Sequence, residues 1–225
     1  GLYAESTVAS GGNLPTKSFS VGRYTYVSNY TDYNFSVIDT FNKEVPVVIG
    51  SVTLPGAPIS LYVSGGYAYT ANDYDYSLSI VDVSSTTAPA VVSSLVIGGG
   101  PNDLQVAGGY AYVANYSSDI VIVDVSSSTN MLVATSTATG GDFSLSTHLS
   151  GSNLFVGSRD GTVSIFDVTT PTDPLLLSTT STGGSVGSGF AISGNISVDG
   201  TYAYVANYDA STVTVIDVSN PSAPV

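Results

Sequence analysis

Aspartate returns at one place in a periodic pattern, at Asp39, Asp82, Asp124, Asp167 and Asp217, each time closing a β-branched run such as Ile120-Val-Ile-Val-Asp124. A reaction needs one or two carboxylates, not the same one in every repeat, so these five are expected to cap turns by accepting backbone N–H bonds. The one histidine, His148, sits at the repeat position of Gln105 and Tyr62, a filler place in a strand, and no nucleophile is spaced to form a triad with it. Cysteine is absent, which removes disulfides, thiolate metal sites and a thiol nucleophile. No catalytic residue is assigned from these features.

A richer mixture lies in the turns that precede the Asp-ending runs. They hold Tyr30, Asp32 and Tyr33; Asp73, Tyr74, Asp75 and Tyr76; Tyr116 and Asp119; Arg159 and Asp160; and Tyr208 and Asp209. Tyr rings stack on the C–H faces of sugars and carboxylates accept their hydroxyls, so these residues are the expected contacts for a glycan or a partner protein. The same oxygens suit Ca2+, although Asp73-Tyr-Asp75 lacks the spacing of an EF-hand loop. Plain polar hairpins explain the composition too, since Asp and Asn are ordinary turn formers and Arg159-Asp-Gly161 is a tight-turn signal. Asn29, Asn34, Asn115 and Asn195 open Asn-x-Ser/Thr sequons, a number that chance alone supplies, so they permit glycosylation without arguing for it.

The elements that carry these residues repeat. Tyr26, Tyr69, Tyr112, Phe155 and Tyr204 occupy matching places, at steps of 43, 43, 43 and 49 residues. A unit reads as strand a (102–107), strand b (110–115), strand c (119–125) and strand d (about 131–138). Strand b is Tyr24-Thr-Tyr-Val-Ser-Asn29, Tyr67-Ala-Tyr-Thr-Ala-Asn72, Tyr110-Ala-Tyr-Val-Ala-Asn115 and Tyr202-Ala-Tyr-Val-Ala-Asn207, with Leu154-Phe-Val-Gly-Ser158 as a divergent copy. Strand c is apolar on both faces, as in a sheet sandwiched between two others, and no stretch keeps a 3.6-residue period. These signals predict an all-β chain, a β-propeller of about five four-stranded blades, alone or within a larger ring. One domain spans 1–225, with repeats at about 14–56, 57–100, 101–141, 142–184 and 185–225 and an insertion at 183–195. In such a fold the Tyr/Asp turns share one rim with the d-to-a loops, which are Gly-rich here at Gly98-Gly-Gly-Pro101, Gly140-Gly141 and Gly183-Gly184.

The Ile120-Val-Ile-Val-Asp124 strand and the Asp-Val-Ser-Asn-Pro-Ser-Ala-Pro run at 217–224 resemble the LVIVD repeat family, and the Tyr-Val-Ala-Asn strands resemble the related YVTN repeats of surface-layer propellers. The likeness covers nearly the whole chain, departing at Phe155, at Ser158 and at 126–131. It implies a propeller and a place at the cell surface.

The ends leave the ring open to three arrangements. Residues 1–12 read as an orphan strand d, because 6–12 resemble 136–141. That strand can close the ring beside 213–217, the blades can continue in a longer protein, or the strand can complete a neighbouring copy and build a filament.

With four Lys and Arg against seventeen Asp and Glu the chain carries a net charge of −13, which argues against nucleic acid and against anionic membrane surfaces. No apolar run is long enough to span a bilayer. About a quarter of the residues are Ser or Thr, while charged residues are only 9%. Hydroxyls therefore keep the surface wet, as in secreted proteins. The leading expectation is a non-enzymatic, extracellular surface-layer, filament or adhesive module that associates with itself, with other surface proteins or with glycans. The alternative is a propeller enzyme, a glycan- or lactone-acting hydrolase or lyase using rim carboxylates or a divalent metal. A periplasmic binding or scaffold protein is a third reading.

Overall fold

Strand 120–123 is apolar at every position, which one-sided burial cannot explain. The computed structural model, which describes residues 6–184 and 196–225, supplies the second face by stacking five antiparallel sheets in chain order. The first sheet is β1 (Pro15–Val21), β2 (Tyr24–Asn29), β3 (Asn34–Asp39) and β4 (Val47–Thr53). The second is β5 (Ala57–Ser64), β6 (Tyr67–Asp73), β7 (Ser77–Asp82) and β8 (Ala90–Val96). The third is β9 (Pro101–Ala107), β10 (Tyr110–Asn115), β11 (Asp119–Asp124) and β12 (Leu132–Ala138). The fourth is β13 (Ser144–Ser150), β14 (Asn153–Ser158), β15 (Thr162–Asp167) and β16 (Leu175–Ser181). The last is three-stranded: β17 (Ile196–Asp199), β18 (Tyr202–Asn207) and β19 (Thr212–Asp217). The described residues include no helix. The fold is a propeller, and each sheet is a blade.

The core lies in the seams between blades. Along strand c alternate residues feed alternate seams: Ile120 and Ile122 pack on Leu154, Val156 and Phe166 of the fourth blade, while Val121 and Val123 pack with Leu78 and Ile80 of the second. Burial on both faces is therefore a property of neighbours, and it is what makes strand c so apolar.

A polar tie runs through the innermost strands. Asp103 on β9 is 1% exposed and accepts from Ser60 Oγ of β5 at 2.7 Å, Thr147 N of β13 at 2.9 Å, Thr147 Oγ1 at 3.3 Å and Lys17 Nζ of β1 at 3.3 Å. One carboxylate thus joins strand a of four blades. His148, beside Thr147, is half-buried, and burial pushes its imidazole below its ordinary pKa against the opposing pull of the Asp103 charge.

The five strand-ending aspartates form the same turn in every blade. Oδ1 of Asp39, Asp82, Asp124, Asp167 and Asp217 accepts the N–H two residues on, from Phe41, Ser84, Ser126, Thr169 and Ser219, at 2.8–2.9 Å. Side-chain hydrogen bonds, from Arg23 to Asp39 and from the following hydroxyls to the other four, and then these backbone bonds hold all five carboxyls below the usual range. A depressed folded-state pKa contributes stability above the unfolded value of about 3.9 and loses it as pH falls through the folded value. Melting temperature is accordingly expected to fall steeply below about pH 4. With all five changed to Asn, which keeps the turn but cannot titrate, that acid limb should be shallower. An unchanged limb would show that other groups set it.

The ends differ from the reading as an orphan strand d. Residues 1–5 lie outside the described residues, and 6–12 carry no strand. Instead Ser10 O and Gly11 O accept from Asn29 Nδ2 (3.5 Å) and Asn34 Nδ2 (3.1 Å), so this segment is bound to the first blade through side-chain amides and does not pair with β19. Val225 pairs with Asp217 at the end of β19, in both directions. The last blade also keeps one face open. Tyr204, Val213 and Val215 are 40%, 65% and 54% exposed, where Tyr112 and Ile122 at matching places are 4% and 0%. The close strand-to-strand packing among the described residues runs from first blade to last, and no strand of the last blade packs closely against the first.

Candidate functional site

Strand b ends in an amide that holds the rim in shape. Asn29 Nδ2 donates to Asn34 Oδ1 (2.7 Å) and Ser36 Oγ (3.0 Å), Asn72 Nδ2 to Ser77 Oγ (3.0 Å) and Ser79 Oγ (2.8 Å), and Asn207 Nδ2 to Thr212 Oγ1 (3.1 Å) and Thr214 Oγ1 (2.8 Å). Each clip closes the b-to-c turn from inside. Asn29 and Asn115 are 0% exposed, so in the folded chain neither sequon presents its amide for a glycan. Asn34 is partly exposed, and Asn195 lies outside the described residues.

Three of the rim carboxylates brace their own blade. Asp32 accepts from Asn13 N at 2.9 Å and Asn13 Nδ2 at 3.1 Å, Asp119 from Ser117 Oγ and from Ser136 Oγ at 2.6 Å, and Asp160 from Asp142 N at 3.2 Å and Thr162 N at 3.0 Å. Their lone pairs are committed to the turns and to the d-to-a loops. Tyr208 and Asp209 stand exposed on the last blade.

The second blade is different. Tyr30 Oη donates to Asp73 Oδ2 at 2.9 Å, and the Tyr30 and Tyr33 rings each lie 5.9 Å from Tyr74. Burial, then the hydrogen bonds of Tyr74 and Asp73, pushes the Tyr30 phenol well above its ordinary value, so it stays a donor. Asp75 accepts from Ser77 Oγ at 2.8 Å. Asp73, Tyr76 and Tyr116 then meet Gly99 and Gly100 around a pocket of about 420 Å³ at the seam of the second and third blades. Sequence reasoning singled out the three side chains but could not place them at one seam. It missed the buried Asp103–Lys17 pair, for which the one available signal was a carboxylate in mid-strand.

The Gly98–Gly100 backbone is shaped for this place. All three residues have φ near +74°, a region that side chains avoid. Gly99 O and Gly100 O accept from Ser117 N and Tyr116 N, which turns the carbonyls away into the turn of the third blade. The N–H groups of Gly99 and Gly100 donate to no described residue. A carboxylate, phenols and the backbone of two glycines whose N–H groups have no acceptor among the described residues thus line one pocket. Among the described residues no three of His, Asp and Glu converge as ligands for a metal such as Ca2+.

Backbone strain marks the same tyrosines. The last residue of the b-to-c turn is left-handed in each blade: Tyr33, Tyr76, Ser118 and Ser211 at φ +52° to +66°, and Gly161 at +81°. Glycine meets this need without strain, whereas a side chain costs about 1 kcal/mol. Tyr76→Gly is therefore expected to leave the melting temperature within a few degrees, because relief of strain offsets glycine's larger unfolded-state entropy. Loss of the ring should weaken ligand binding about tenfold, roughly 1.4 kcal/mol. Calorimetry on the variant checks both, and a large loss of stability would assign the ring a structural role instead.

The LVIVD repeat sequence profile matches residues 55–96, 98–139 and 192–225, more than half of the chain. The chain belongs to the LVIVD repeat family. No curated protein matches this LVIVD repeat protein. Among solved structures it is similar to a protein of Bacteroides uniformis provisionally named a 6-phosphogluconolactonase (TM-score 0.77, 15% identity, 92% of this chain and 67% of that one). It is also similar to the periplasmic gluconolactonase of Pseudomonas aeruginosa (TM-score 0.68, 20% identity, 87% and 63%) and to a functionally unknown protein of Desulfotomaculum acetoxidans (TM-score 0.74, 14% identity, 90% and 65%). The chain spans about two thirds of the length of these structures. These names correct the expectation of a non-enzymatic surface-layer, filament or adhesive module, because folds that resemble this one carry lactonase names. The rim also differs from a flat contact surface, since its polar groups surround a pocket.

Proposed function

We propose that this LVIVD repeat protein hydrolyses an uncharged lactone in the pocket between its second and third blades. The observation that carries the reading is the meeting of Asp73 with the uncommitted N–H groups of Gly99 and Gly100 between Tyr76 and Tyr116. The lactonase names of similar folds support it.

The chemistry needs a base, an acceptor for its proton and donors for an oxyanion. Asp73 takes a proton from water as the water oxygen bonds to the lactone carbonyl carbon. Charge that develops on the carbonyl oxygen falls to amide donors already in place, which need no reorganisation as the reaction proceeds. The ring C–O bond then breaks, and Asp73 returns its proton to the departing alkoxide, so one water and one lactone give one hydroxy acid. Tyr30 is a positioning residue: its hydrogen bond to Oδ2 turns Oδ1 of Asp73 toward its task.

Charge selects the substrate class. Of the four cations, Lys17 pairs with Asp103, Arg23 with Asp39 and Arg159 with Asp142, and neither these nor Lys43 line the pocket. A phosphorylated lactone would bring a dianion to a carboxylate on a chain of net charge −13. The neutral lactone is preferred on that ground. The test follows hydrolysis of D-glucono-δ-lactone and its 6-phosphate above their spontaneous rates. Acceleration of the neutral lactone, at least tenfold greater than of the phosphate, is expected. No acceleration of either overturns the reading.

A further inference from the structure

Two blades lack the amide clip: the fourth has Ser158 in place of the amide, and the third keeps the amide without its acceptors. Asn29, Asn72 and Asn207 each donate to two acceptors at the first and third positions of strand c. The third blade keeps the amide, Asn115, but its strand c offers Asp119 and Val121 at those positions. Asp119 is occupied by Ser117 and Ser136, and Val121 has no acceptor. Asn115 is 0% exposed, and neither its Nδ2 nor its Oδ1 has a hydrogen-bond partner among the described residues. In the first two blades only Oδ1 lacks one. A buried carboxamide with both ends unmet is costly, and folded proteins rarely keep one without a use.

Its position supplies the use. Asn115 lies on the strand face of Val113 and Val121, which pack against the second blade, and it is next in sequence to Tyr116, which lines the pocket that Asn115 itself does not line. A Cβ built on Gly99, another lining residue, would come within 2.6 Å of Asn115 Nδ2, so the bare backbone of Gly99 lies directly against the amide. A carboxamide donates and accepts side by side. Its matching ligand group is a pair of neighbouring hydroxyls, each of which does both, whereas a phosphate only accepts and would meet Oδ1 unfavourably.

We infer that Asn115 is a specificity-determining residue of this pocket, reached past the Gly98–Gly100 strap and recognising a vicinal diol of the ligand. The inference rests on the hydrolase reading for its ligand class, a polyhydroxy lactone as opposed to a bare one. The loss of the strand-c hydroxyl at position 121 is then what frees the amide for binding.

The repair of the clip is the test. Val121→Thr restores the acceptor that Thr214 provides to Asn207 in the last blade, in a side chain of nearly the same shape. It should draw the amide into the turn and weaken binding of D-glucono-δ-lactam, a ring analogue that does not hydrolyse, by about three- to tenfold in calorimetry. Asn115→Ala should do the same, while KM for δ-valerolactone, which has no hydroxyls, stays unchanged in Val121→Thr. Equal lactam binding by wild type and both variants overturns the inference, and leaves the hydrolase reading standing if the lactone is still turned over. Weakened lactam binding in a protein that turns over no lactone keeps the diol site and removes the hydrolase. A wild type that neither binds nor hydrolyses removes both.

Discussion

Asp103→Ala is expected to cost about 3–5 kcal/mol of stability, the largest effect of any single substitution outside the apolar seams. Four donors from three other blades converge on this buried carboxylate. Its removal leaves the Thr147 N–H without an acceptor in a site that water does not reach, and a backbone group cannot rotate to find another. The Ser60 and Thr147 hydroxyls and Lys17, whose side chain is 26% exposed, adapt more easily. Asp103→Asn should therefore cost less than alanine, since an amide oxygen still accepts from Thr147. Lys17→Met should also be costly, because it leaves a buried carboxylate without its cation, although Asp103 keeps three of its donors. In a chain of this length 3–5 kcal/mol corresponds to a fall in melting temperature of roughly 6–20 °C. A fall under about 3 °C would mean that the blades are held by their apolar seams alone.

Asp73→Asn carries the second large effect. If Asp73 is the base, an amide that cannot take the proton should lower kcat for D-glucono-δ-lactone by about 10²–10⁴-fold. Binding of the lactam should survive, because the isosteric amide still fills the pocket wall. Stability should change little, since Asp73 is half-buried and the Tyr30 phenol is its hydrogen-bond partner. Tyr30→Phe should act through Asp73: kcat falls by less than in the Asn variant, and the double variant is no slower than Asp73→Asn alone. Multiplied losses would show that Tyr30 touches the reaction by its own route. An Asp73→Asn enzyme with wild-type kcat would move the base elsewhere on the rim.

The repeats make an internal control for these assignments. At the end of strand b five blades present Asn, Asn, Asn, Ser and Asn, and at the third place of strand c Ser, Ser, Val, Ser and Thr. Both columns were legible in the sequence, and Asn115 was visible there as a sequon. Its contradiction with Val121 was not legible, because nothing local says that the two side chains face each other across the hairpin, inside the seam. Register supplies that knowledge: Ala114 pairs with Ile120 and Val113 with Val121, which sets the two residues on one face. The rim behaved similarly. Its Tyr and Asp residues could be enumerated, but Asp32, Asp119 and Asp160 accept from donors of their own blade, whereas Asp73 accepts from Tyr30 of the neighbouring blade, and the sequence shows neither set of partners.

What the sequence determined by itself was whatever depends on near neighbours. The period, the strand pairs b and c, the continuous apolarity of strand c and the aspartate at its end all express short-range rules of alternation and turn chemistry. They place the chain among β-propellers before any coordinate is known. The tertiary structure decided which faces meet. It bound residues 6–12 to the first blade, left the outer face of the last blade open, joined Lys17 to Asp103 across 86 residues, and gathered Asp73, Tyr76 and Tyr116 at one seam out of several. Burial is a property of pairs of blades, and a hydrogen-bond partner is a property of a place in space. A strand's own residues specify neither, which is why the fold could be read from the repeat and the site could not.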